Sequence, residues 1–566
     1  MNKRWKIKTH NHNSARRLAA ELGIMPVTAA LLIDRGFESP QSARDFLFPE
    51  NGRLHDPFLL QDLEKAVRRI LQAINNKEKI LIWGDYDVDG TTGTVLLRRV
   101  FKKLSAQTFF HIPNRFSEGY GLNRKALADY KSAGVSLVIT VDCGTKNKEE
   151  IKWASENGLD VIVTDHHLAE ASDGLPPAVA VVNPNRWDCG YPDKNLAGVG
   201  VAFKLAEALA KSTGLSDLIN DLFEVAALGT VADIMNLRGE NRTIVSRGLS
   251  DLKKTNSKAL KALMEVSGCN DSMTSEDIAF RLAPRINAAG RMDKGSLVVD
   301  FFEAESDEEA LLLAAELNKL NSERQRVQNE VIDSALRQIG EAPEKKFIVV
   351  GNDGWHRGVI GLAASKIVEK FNRPTIVFSY EGEIAHASAR SIPGFHILDA
   401  IRTCEDILIQ YGGHSAAAGL KANTIIIDQL SERLDSFARE AISDEELIPE
   451  LVIDARLQPS TISLELFDEL KLLEPFGAGN PRPVFVTGGF EISFQPQVIK
   501  EKHLKLFLRD QTGRVHQAIW WNAPKRYLEQ TPKTGARIEA AYHLDVNIWK
   551  ENKHLQLVIR DIRADN

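Results

Sequence analysis

The stretch KILIWGDYDVDGTTGTVLLRRVFKKL, residues 79–104, decides the fold of the first half of the chain. Its apolar start KILIW predicts a buried strand, and TTGTVLLRRVFKKL predicts a helix. Two later apolar runs, VSLVITV (135–141) and DVIVT (160–164), also predict strands, and LNRKALADYKSAG predicts another helix. Strands that alternate with helices form parallel sheets covered on both faces. We therefore expect an α/β domain built on a parallel sheet.

The loop between this first strand and its helix places Asp85, Asp87 and Asp89 on alternate positions before Gly90. Like charges this close repel each other, so we expect a cation among them. The loop matches the first half of an EF-hand calcium loop, but its twelfth position is Leu96 instead of Glu, and a strand precedes it. The alternative is a catalytic metal site at the carboxyl edge of a parallel sheet.

Other predicted elements end in similar groups. Asp142 follows VITV, Asp165, His166 and His167 follow VIVT, and the helix-like FEVAALGTVA leads into Asp233. Taken singly, an Asp after a strand is more often a helix cap, and a His pair is more often core or surface. Together, carboxylates with one or two imidazoles suit Mn²⁺ or Mg²⁺ better than zinc or copper. Five or six such ligands are enough for the two ions that hydrolyse phosphoryl esters.

Composition limits the function classes. The 566 residues are too many for one core and favour three or four domains. The net charge of −6 gives by itself no support for nucleic-acid binding. No run approaches 18 apolar residues, and the basic N-terminus lacks the apolar region of a secretory signal. The four cysteines form no CxxC pair, which favours the reducing cytoplasm and argues against a zinc ribbon.

The second half of the chain predicts a long helix, a second α/β unit and a β-barrel. Residues 307–338 contain no Gly or Pro and predict one long polar helix, and FIVVG (347–351) starts a second α/β unit. Residues 484–563 alternate short strand-like runs, which is typical of a small OB-like β-barrel. We expect an N-terminal extension (1–45), a catalytic α/β domain (46–305), a connecting helix (306–340), a second α/β domain (341–448) and the barrel (449–566).

Ordered motifs in both halves of the chain resemble those of a known family. The first four resemble the signatures of the DHH phosphoesterase superfamily: GDYDVDG, VDCG, DHH (165–167) and GTVADI (229–234). Later motifs are similar to the RecJ group: APRINAAGRMD (283–293), LNKLNSERQ (317–325), WHRGVIGLAASKI (355–367), SARSIPGFHI (388–397), GGHSAAAG (412–419) and EPFGAGNPRPVF (474–485). That group comprises bacterial exonucleases that degrade single-stranded DNA from the 5′ end. The resemblance implies a DHH catalytic domain, a DHH-associated domain and an OB-like nucleic-acid-binding domain.

The resemblance implies a site for two divalent ions, Mn²⁺ or Mg²⁺. The implied ligands are Asp87 and Asp142 for one ion, with Asp85 nearby, and Asp89, Asp142, His166 and Asp233 for the other. His167 would face the scissile phosphate as a catalytic residue, together with the bridging Asp142. Asp165 would orient an imidazole or cap the following helix. Whether Asp85 contacts an ion directly stays open.

The second α/β unit is expected to hold the 5′ phosphate. GGHSAAAG predicts a glycine-rich loop that opens a helix, with Gly413 and His414 as donors. WHRGVIG predicts a second helix start, with His356 and Arg357. The remaining phosphate contacts that the resemblance implies are Arg115, Arg285, Arg291, Ser388 and Arg390.

The barrel is expected to carry the DNA strand on basic and aromatic side chains. Alternation along a strand places Trp520 and Trp521 on opposite faces, so at most one of them is exposed. The expected members of this platform are Lys505, Phe507, Arg509 and Trp521.

The expected activity is that of a metal-dependent 5′→3′ exodeoxyribonuclease that converts single-stranded DNA to 5′-mononucleotides. The resemblance implies a role in DNA repair and recombination in the cytoplasm, with a helicase, a single-strand-binding protein and mismatch-repair factors as possible partners, no membrane association, and a monomer. One alternative is a DHH-type phosphoesterase for short oligonucleotides or small phosphoesters, whose chains are typically shorter and lack the barrel. A catalytically inactive replication scaffold would lose ligands, whereas every expected acid and both histidines are present.

Overall fold

The computed structural model describes residues 3–49, 52, 54–172, 174–269, 273–549 and 552–565. The chain forms two compact units. The first unit contains His55–Met235 and Arg247–Pro449, and the second contains Lys3–Leu54, Asn236–Ser246 and Glu450–Asn566.

The elements are numbered in chain order. The strands are β1 (Arg4–Ile7), β2 (Lys79–Gly84), β3 (Gln107–His111), β4 (Val135–Val141), β5 (Asp160–Thr164), β6 (Ala180–Val182), β7 (Ile348–Asp353), β8 (Thr375–Glu381), β9 (Ile384–Arg390), β10 (Leu408–Gly413), β11 (Ala417–Asn423), β12 (Glu450–Ile453), β13 (Ala455–Arg456), β14 (Phe485–Ile492), β15 (Gln497–Ile499), β16 (His503–Arg509), β17 (Val515–Trp520), β18 (Arg537–Trp549) and β19 (Asn552–Ala564). The helices are α1 (His12–Leu22), α2 (Pro26–Asp34), α3 (Pro40–Leu47), α4 (Leu63–Asn75), α5 (Val88–Lys103), α6 (Arg124–Ser132), α7 (Lys148–Glu156), α8 (Gly198–Thr213), α9 (Phe223–Ala232), α10 (Gly239–Leu252), α11 (Lys258–Ser267), α12 (Ser275–Asp277), α13 (Ala283–Arg291), α14 (Ser296–Phe302), α15 (Asp307–Ile339), α16 (Arg357–Phe371), α17 (Ile397–Arg402), α18 (Ile427–Ala441), α19 (Leu464–Lys471) and α20 (Lys525–Glu529).

The first sheet confirms the expected parallel α/β domain. Its five strands lie in the order β3-β2-β4-β5-β6, and every pairing is parallel. The central strands β2 and β4 are almost entirely buried, as continuous apolar runs covered by helices require. Their carboxyl ends lie at one edge, where the acidic motifs begin.

The loop after β2 turns tightly into α5. Asp87 caps the helix by accepting a hydrogen bond from the Gly90 backbone N–H at 3.0 Å. Gly90 allows the close approach, because a Cβ there would lie 2.6 Å from the Cα of Asp85. The tight turn between β2 and α5 therefore holds Asp85, Asp87 and Asp89 close to one another.

The long helix α15 confirms the prediction for residues 307–338. It has 33 residues and begins after Ser306, whose side chain accepts from Glu309 N. Its first half packs on α11, α13 and α14, and its second half packs on α16 and β7. At 1.5 Å per residue it is about 50 Å long, so it connects both sheets of the first unit.

The second sheet has the order β10-β11-β9-β8-β7. β7 and β8 are parallel, and the remaining pairs are antiparallel. The predicted helix start at WHRGVIG is confirmed, because His356 caps α16 by accepting from Gly358 N at 3.1 Å. The predicted helix start at GGHSAAAG is wrong. These residues form the β10–β11 hairpin, in which Gly412 pairs with Gly419 and Gly413 with Ala418.

The C-terminal strands close into the predicted OB-like barrel. Its strands follow the order β14-β18-β19-β17-β16, and a further pairing of β14 with β16 closes the barrel. Along β16 the side chains alternate, with Leu504, Leu506 and Leu508 buried inside and the intervening residues on the outer face.

The N-terminal residues fold with this barrel, a feature that the sequence did not indicate. β1 pairs in parallel with β12, and α1–α3 bury Leu18, Leu31 and Phe46 in the apolar core that also contains α19 and the barrel strands. Lys3–Leu54 is therefore grouped with the barrel strands in the second unit. No helix in the described residues is long and apolar enough to cross a bilayer.

Candidate metal centre and phosphate site

The carboxyl ends of three parallel strands and one helix end bring the predicted ligands together. Asp85 follows β2, Asp142 follows β4, His166 follows β5, and Asp233 lies directly after α9. Three groups of these side chains have ligand atoms within 4.8 Å of one another: Asp85, Asp87 and Asp142; Asp142, His166 and His167; and Asp89, His166 and Asp233.

His166 lies at the centre of the cluster. Its Nε2 is 3.1 Å from Asp142 Oδ1, 3.6 Å from Asp233 Oδ2 and 3.8 Å from Asp89 Oδ2. Asp142 belongs to two of the three groups, which fits a ligand shared by two ions. The backbone of Asp142 is in the left-handed region at φ 61°, so the carboxylate turns into the site immediately after the strand ends.

The electrostatics of this cluster require cations. Burial and neighbouring carboxylates raise the pKa of Asp85 and Asp142 well above the usual range. The same causes raise the pKa of Asp89 to about 7 and that of Asp233 to about 9. Asp85 Oδ1 and Asp142 Oδ1 are buried and accept no hydrogen bond within the described part of the chain. Hard carboxylate oxygens together with one imidazole are a ligand set that fits Mn²⁺ or Mg²⁺.

The two histidines differ in protonation. Burial, together with the charge of His167, lowers the pKa of His166 to about 4, so its imidazole is neutral and suited to metal binding. Burial also disfavours charge on His167, but its hydrogen bond to Asp165 Oδ1 at 2.8 Å raises its pKa above the usual value. Asp165 also accepts from Thr145 N and His166 N, and it is therefore positioned to orient His167.

Two parts of the site were missed by sequence reasoning. The amino end of α8 holds Asp89, which accepts hydrogen bonds from Gly198 N at 2.6 Å and Val199 N at 2.7 Å. Tyr120 donates its hydroxyl hydrogen to the Asp142 carbonyl at 2.9 Å and lies 3.2 Å from His167 Nδ1. Gly198 and Gly200, in the first turn of α8, were a signal for the first part; nothing in the sequence marks Tyr120.

A group of arginines adjoins the acidic cluster. Burial and the charges of Arg115, Arg324 and Arg390 lower the pKa of Arg291 to about 10, while Asp87 acts in the opposite direction. None of these four guanidinium groups has a carboxylate oxygen within 4.0 Å in the described residues. Four partly buried cations without acidic partners indicate an anion site. Arg324 was not predicted as a member of it.

The second α/β unit supplies one side of this anion site. Arg390 Nη1 donates to Ser388 Oγ at 3.0 Å, so the predicted pair is together. Arg291 Nη1 donates to the Gly358 carbonyl at 3.1 Å, beside the start of α16. His356 lies there as the helix cap, and its ring meets that of Phe116 edge to face at 5.6 Å.

Three predicted phosphate contacts are not brought into this group. Arg285 donates to Asn318 Oδ1 at 2.9 Å and to the carbonyls of Arg281 and Val266, so it holds helices together. It lies six residues before Arg291, which is about 240° around α13, and its side chain therefore lies on a different side of that helix. Gly413 and His414 lie exposed at the hairpin, which offers no helix amino end.

The predicted barrel platform lies on one outer face. Trp521 is 54% exposed whereas Trp520 is 5% exposed, which confirms the alternation argument. Lys505 Nζ lies 5.1 Å from the centre of the Phe507 ring, and Arg509 follows on the same face of β16. The remaining neighbours were not predicted: Phe494 beside Phe507, with ring centres 5.5 Å apart, and His503 beside Trp521, at 4.8 Å.

Removing divalent metal should make the stability of the protein depend on pH in a characteristic direction. In the metal-free protein, the carboxyl groups of the cluster have higher pKa values in the folded state than in the unfolded state. Their contribution to the free energy of unfolding is therefore fully present below about pH 4 and is lost as pH rises through about 7 to 9. We expect the increase in melting temperature caused by Mn²⁺ to be larger at pH 8 than at pH 5.5. Thermal unfolding in EDTA and in excess Mn²⁺ measures this difference. An increase that is equal at both pH values would contradict it.

Comparisons with known proteins agree with this architecture. Family models match in the order expected: the DHH family N-terminal domain at residues 79–230, the DHHA1 domain at 344–443 and the RecJ OB domain at 453–561. The single-stranded-DNA-specific exonuclease RecJ of Bacillus subtilis is 39% identical over 99% of this chain and 70% of its own length. The protein of that name from Salmonella typhimurium is 34% identical over 97% of this chain and 98% of its own length.

A solved structure shares the whole fold. The crystal structure of RecJ in complex with Mn²⁺ from Thermus thermophilus covers 100% of this chain and 80% of its own, with 29% identity and a TM-score of 0.85. The corresponding Mg²⁺ complex has a TM-score of 0.80. An identity of 34% over 98% of a relative's length, together with the matches to the three family models, shows that this chain belongs to the RecJ family of single-stranded-DNA-specific exonucleases.

Proposed function

We propose that this protein hydrolyses single-stranded DNA from its 5′ end and releases 5′-mononucleotides. The observation that carries the proposal is the proximity of two clusters of opposite charge: the Arg115 guanidinium lies 4.9 Å from the centre of the ring of Tyr86, the residue between Asp85 and Asp87. The Arg115 charge acts on Asp85, and the Asp87 charge acts on Arg291, so a carboxylate cluster that needs cations adjoins an arginine cluster that needs an anion. A terminal phosphate next to a metal-bound phosphodiester satisfies both.

The ligands that we propose are the six predicted ones: Asp85, Asp87, Asp89, Asp142, His166 and Asp233. Divalent ions held there would lower the pKa of a water molecule and neutralise the charge that develops on the phosphate oxygens. The Asp89 carboxylate is fixed by two α8 backbone N–H groups, and neutral His166 keeps its Nε2 directed at three carboxylates. These side chains therefore have little freedom to reorganise during the reaction.

His167 would contact the scissile phosphate. Its Nδ1 is held by Asp165, and its Nε2 has no partner in the described residues, so Nε2 remains for a phosphate oxygen. The Asp165 charge favours the protonated imidazole, which can donate a hydrogen bond to the phosphate or a proton to the leaving 3′ oxygen. The ring is partly exposed, as contact with a substrate requires.

The arginine cluster would determine the polarity. A phosphate monoester at the 5′ end carries more charge than an internal diester, and planar guanidinium groups bind it in a bidentate manner. We propose Arg115, Arg291, Arg324 and Arg390 for this role, with Ser388 as a hydroxyl donor and His356 at the adjoining helix start. Arg285, Gly413 and His414 are left out.

The proposal is tested with a long single strand that carries different labels at its 5′ and 3′ ends, incubated with Mn²⁺. We expect the 5′ label to be released first, as a mononucleotide, while a blunt duplex of the same sequence survives. Release of the 3′ label first would contradict the polarity. Survival of the long strand, with cleavage of dinucleotides or small phosphoesters, would favour a small-substrate phosphoesterase instead.

Replacing Tyr120 with Phe should weaken catalysis modestly. The change removes the hydroxyl that bonds to the Asp142 carbonyl and approaches His167, and one such hydrogen bond contributes about 0.5–1.5 kcal/mol. We expect kcat to fall by about 2- to 10-fold with little change in KM, since Tyr120 positions the site and does not bind the strand. Tyr130→Phe, a hydroxyl bonded to the Phe110 carbonyl away from the cluster, is the matched control. Equal loss in both variants would assign Tyr120 a purely structural role.

Replacing Trp521 with Ala should weaken binding of a single strand. Stacking of one base on an aromatic ring contributes about 1–3 kcal/mol, which corresponds to about a 5- to 150-fold increase in Kd. Trp187 is the matched control, because it is 47% exposed in the other unit, against 54% for Trp521. Fluorescence anisotropy of a labelled strand of about thirty nucleotides in EDTA, about twice the length that one OB barrel spans, measures both variants. Equal affinity of Trp521→Ala and wild type would remove the platform from the proposal.

The domain boundaries, oligomeric state, localisation and protein partners remain predictions. We propose the five domain boundaries of the sequence analysis, amended by the fold of residues 3–54 with the barrel, and a monomer in the cytoplasm. Repair and recombination partners, namely a helicase, a single-strand-binding protein and mismatch-repair factors, are predicted from the resemblance alone. Affinity purification of the tagged chain from its own cells, with and without nuclease treatment, tests them.

A further inference from the structure

A cavity lies in the first unit at the opposite end of α5 from the metal ligands. Its volume is about 650 Å³. Its walls are the last turns of α5, the starts of α9 and α11, the end of α10 and the residues at the end of α14. Cavities of roughly 300–1,000 Å³ hold nucleotide-sized ligands. The 16 residues of α5 place it about 24 Å along that helix from Asp87, so it is separate from the site described above.

The cavity has an excess of positive charge that its own acids do not neutralise. Its walls carry five cationic side chains, Arg99, Lys102, Lys103, Lys254 and Lys258, and three acidic ones, Asp221, Glu224 and Asp251. Among the described residues, only the Lys103 ammonium in this set pairs with an acid, at 3.3 Å from Asp221 Oδ2. The other four cations have no carboxylate oxygen within 4.0 Å anywhere in the part of the chain that the structure describes.

Arg99 shows most clearly that a partner is needed. It is half-buried, and its guanidinium makes long hydrogen bonds, 3.4 Å to the Asp221 carbonyl and 3.5 Å to Ser257 Oγ, and lies 5.9 Å from the centre of the Phe302 ring. A partly buried cation whose neighbouring carboxylates all lie beyond 4.0 Å is incompletely compensated, and a bound anion would reduce that cost. Burial lowers the pKa of Arg99, while the charges of Glu224, Asp221 and Glu303 act in the opposite direction.

Two helix amino ends add to the positive potential. α9 begins after Leu222, which provides no side-chain cap for the backbone N–H groups of its first turn. α11 begins after Ser257, whose hydroxyl accepts from Leu260 N alone among its first-turn N–H groups, at 3.4 Å. Both helices have ten residues, and both starts line the cavity. Helix amino ends combined with lysine and arginine bind phosphate groups.

We propose that this cavity binds a nucleoside polyphosphate. Four cations without a carboxylate oxygen within 4.0 Å in the described residues, one of which (Lys258) donates to the Glu305 carbonyl, and two helix amino ends match several phosphate groups better than one. The volume exceeds what an inorganic phosphate or pyrophosphate fills, and the remaining wall offers Asn220, Asn256 and Glu224, whose amides and carboxylate bond with sugar hydroxyls and base edges. This site is separate from the proposed nuclease site, and absence of nucleotide binding here would leave the nuclease proposal unchanged.

The test is calorimetric titration of the full chain in EDTA with ATP, AMP and sodium pyrophosphate. We expect one ATP per chain at this cavity, and AMP and pyrophosphate each to bind at least about tenfold more weakly. Lys254→Glu should weaken ATP binding by about tenfold or more, since it reverses an unpaired charge. Lys253→Glu is the matched control, because Lys253 is an exposed neighbour that does not line the cavity, and it should change the affinity by less than about twofold.

Four outcomes would overturn the proposal. The first is absence of saturable ATP binding. The second is equal weakening by Lys253→Glu and Lys254→Glu, which would indicate general charge attraction. The third is ATP binding that Arg390→Ala abolishes and Lys254→Glu leaves intact, which would place the nucleotide in the arginine cluster beside the metal ligands. The fourth is pyrophosphate binding as tight as that of ATP, since the nucleoside would then contribute nothing.

Discussion

Asp142→Asn should abolish hydrolysis and leave the fold intact. Asp142 is shared by two of the three potential metal groups, and its loss removes one negative ligand from each. We expect kcat to fall by at least about 1,000-fold, since the charge stabilisation that a metal supplies amounts to several kcal/mol. Asn is chosen because it tolerates the left-handed backbone at φ 61°, whereas Ala would be strained there.

The same variant should not be less stable than wild type in EDTA. The Asp142 pKa is raised by burial and by the neighbouring carboxylates, so a neutral side chain relieves both. We expect its melting temperature in EDTA at pH 8 to equal or exceed that of wild type, and the increase caused by Mn²⁺ to shrink. Asp129→Asn, on the exposed face of α6, controls for the chemical change. An inactive but strongly destabilised Asp142→Asn would mean that the residue is mainly structural.

Arg390→Ala should remove the preference for a 5′ phosphate. Arg390 lies with Ser388 in the arginine cluster, and a charge-assisted hydrogen bond contributes about 1.5–3 kcal/mol. We expect kcat/KM to fall by about 10- to 100-fold on a 5′-phosphorylated strand and to change little on the same strand with a 5′ hydroxyl. Arg390→Lys should recover only part of the preference, because it keeps the charge but loses the planar pair of donors.

Arg285→Lys is the control for this prediction. Arg285 contacts Asn318 and two carbonyls away from the cluster, so the ratio between the two strands should stay at its wild-type value. A decrease in that ratio for Arg285→Lys as large as for Arg390→Ala would show that the terminal phosphate lies elsewhere.

Most metal ligands could be predicted because they are local in the sequence. Each follows directly on a buried strand or an apolar helix, and the carboxyl ends of parallel strands must meet at one edge. The distances around His166 are a consequence of strand order, which the alternation of strands and helices already indicates. Tyr120 and Arg324 reach the site from a loop and from the long helix α15, whose positions depend on tertiary packing that no local pattern encodes.

The differences between the predicted and the observed arrangement have identifiable causes. GGHSAAAG contains only small residues and one histidine, so it has neither a helical nor a strand period, and its pairing with β9 decides the hairpin. The spacing of six residues already places Arg285 and Arg291 on different sides of a helix, so the sequence alone could have shown that they face different surroundings. The fold of residues 3–54 with the barrel rests on a strand pairing between Arg4 and Glu450, positions far apart in the chain, which composition does not indicate.

The central claim is that the acidic cluster holds two ions and that hydrolysis requires both. The most direct measurement titrates Mn²⁺ into metal-free protein and records, in the same samples, bound manganese by electron paramagnetic resonance and release of mononucleotides from a single strand. The account predicts two bound ions per chain, with activity that appears as the second binds. Full activity with one bound ion, or activity that persists in EDTA, would contradict it.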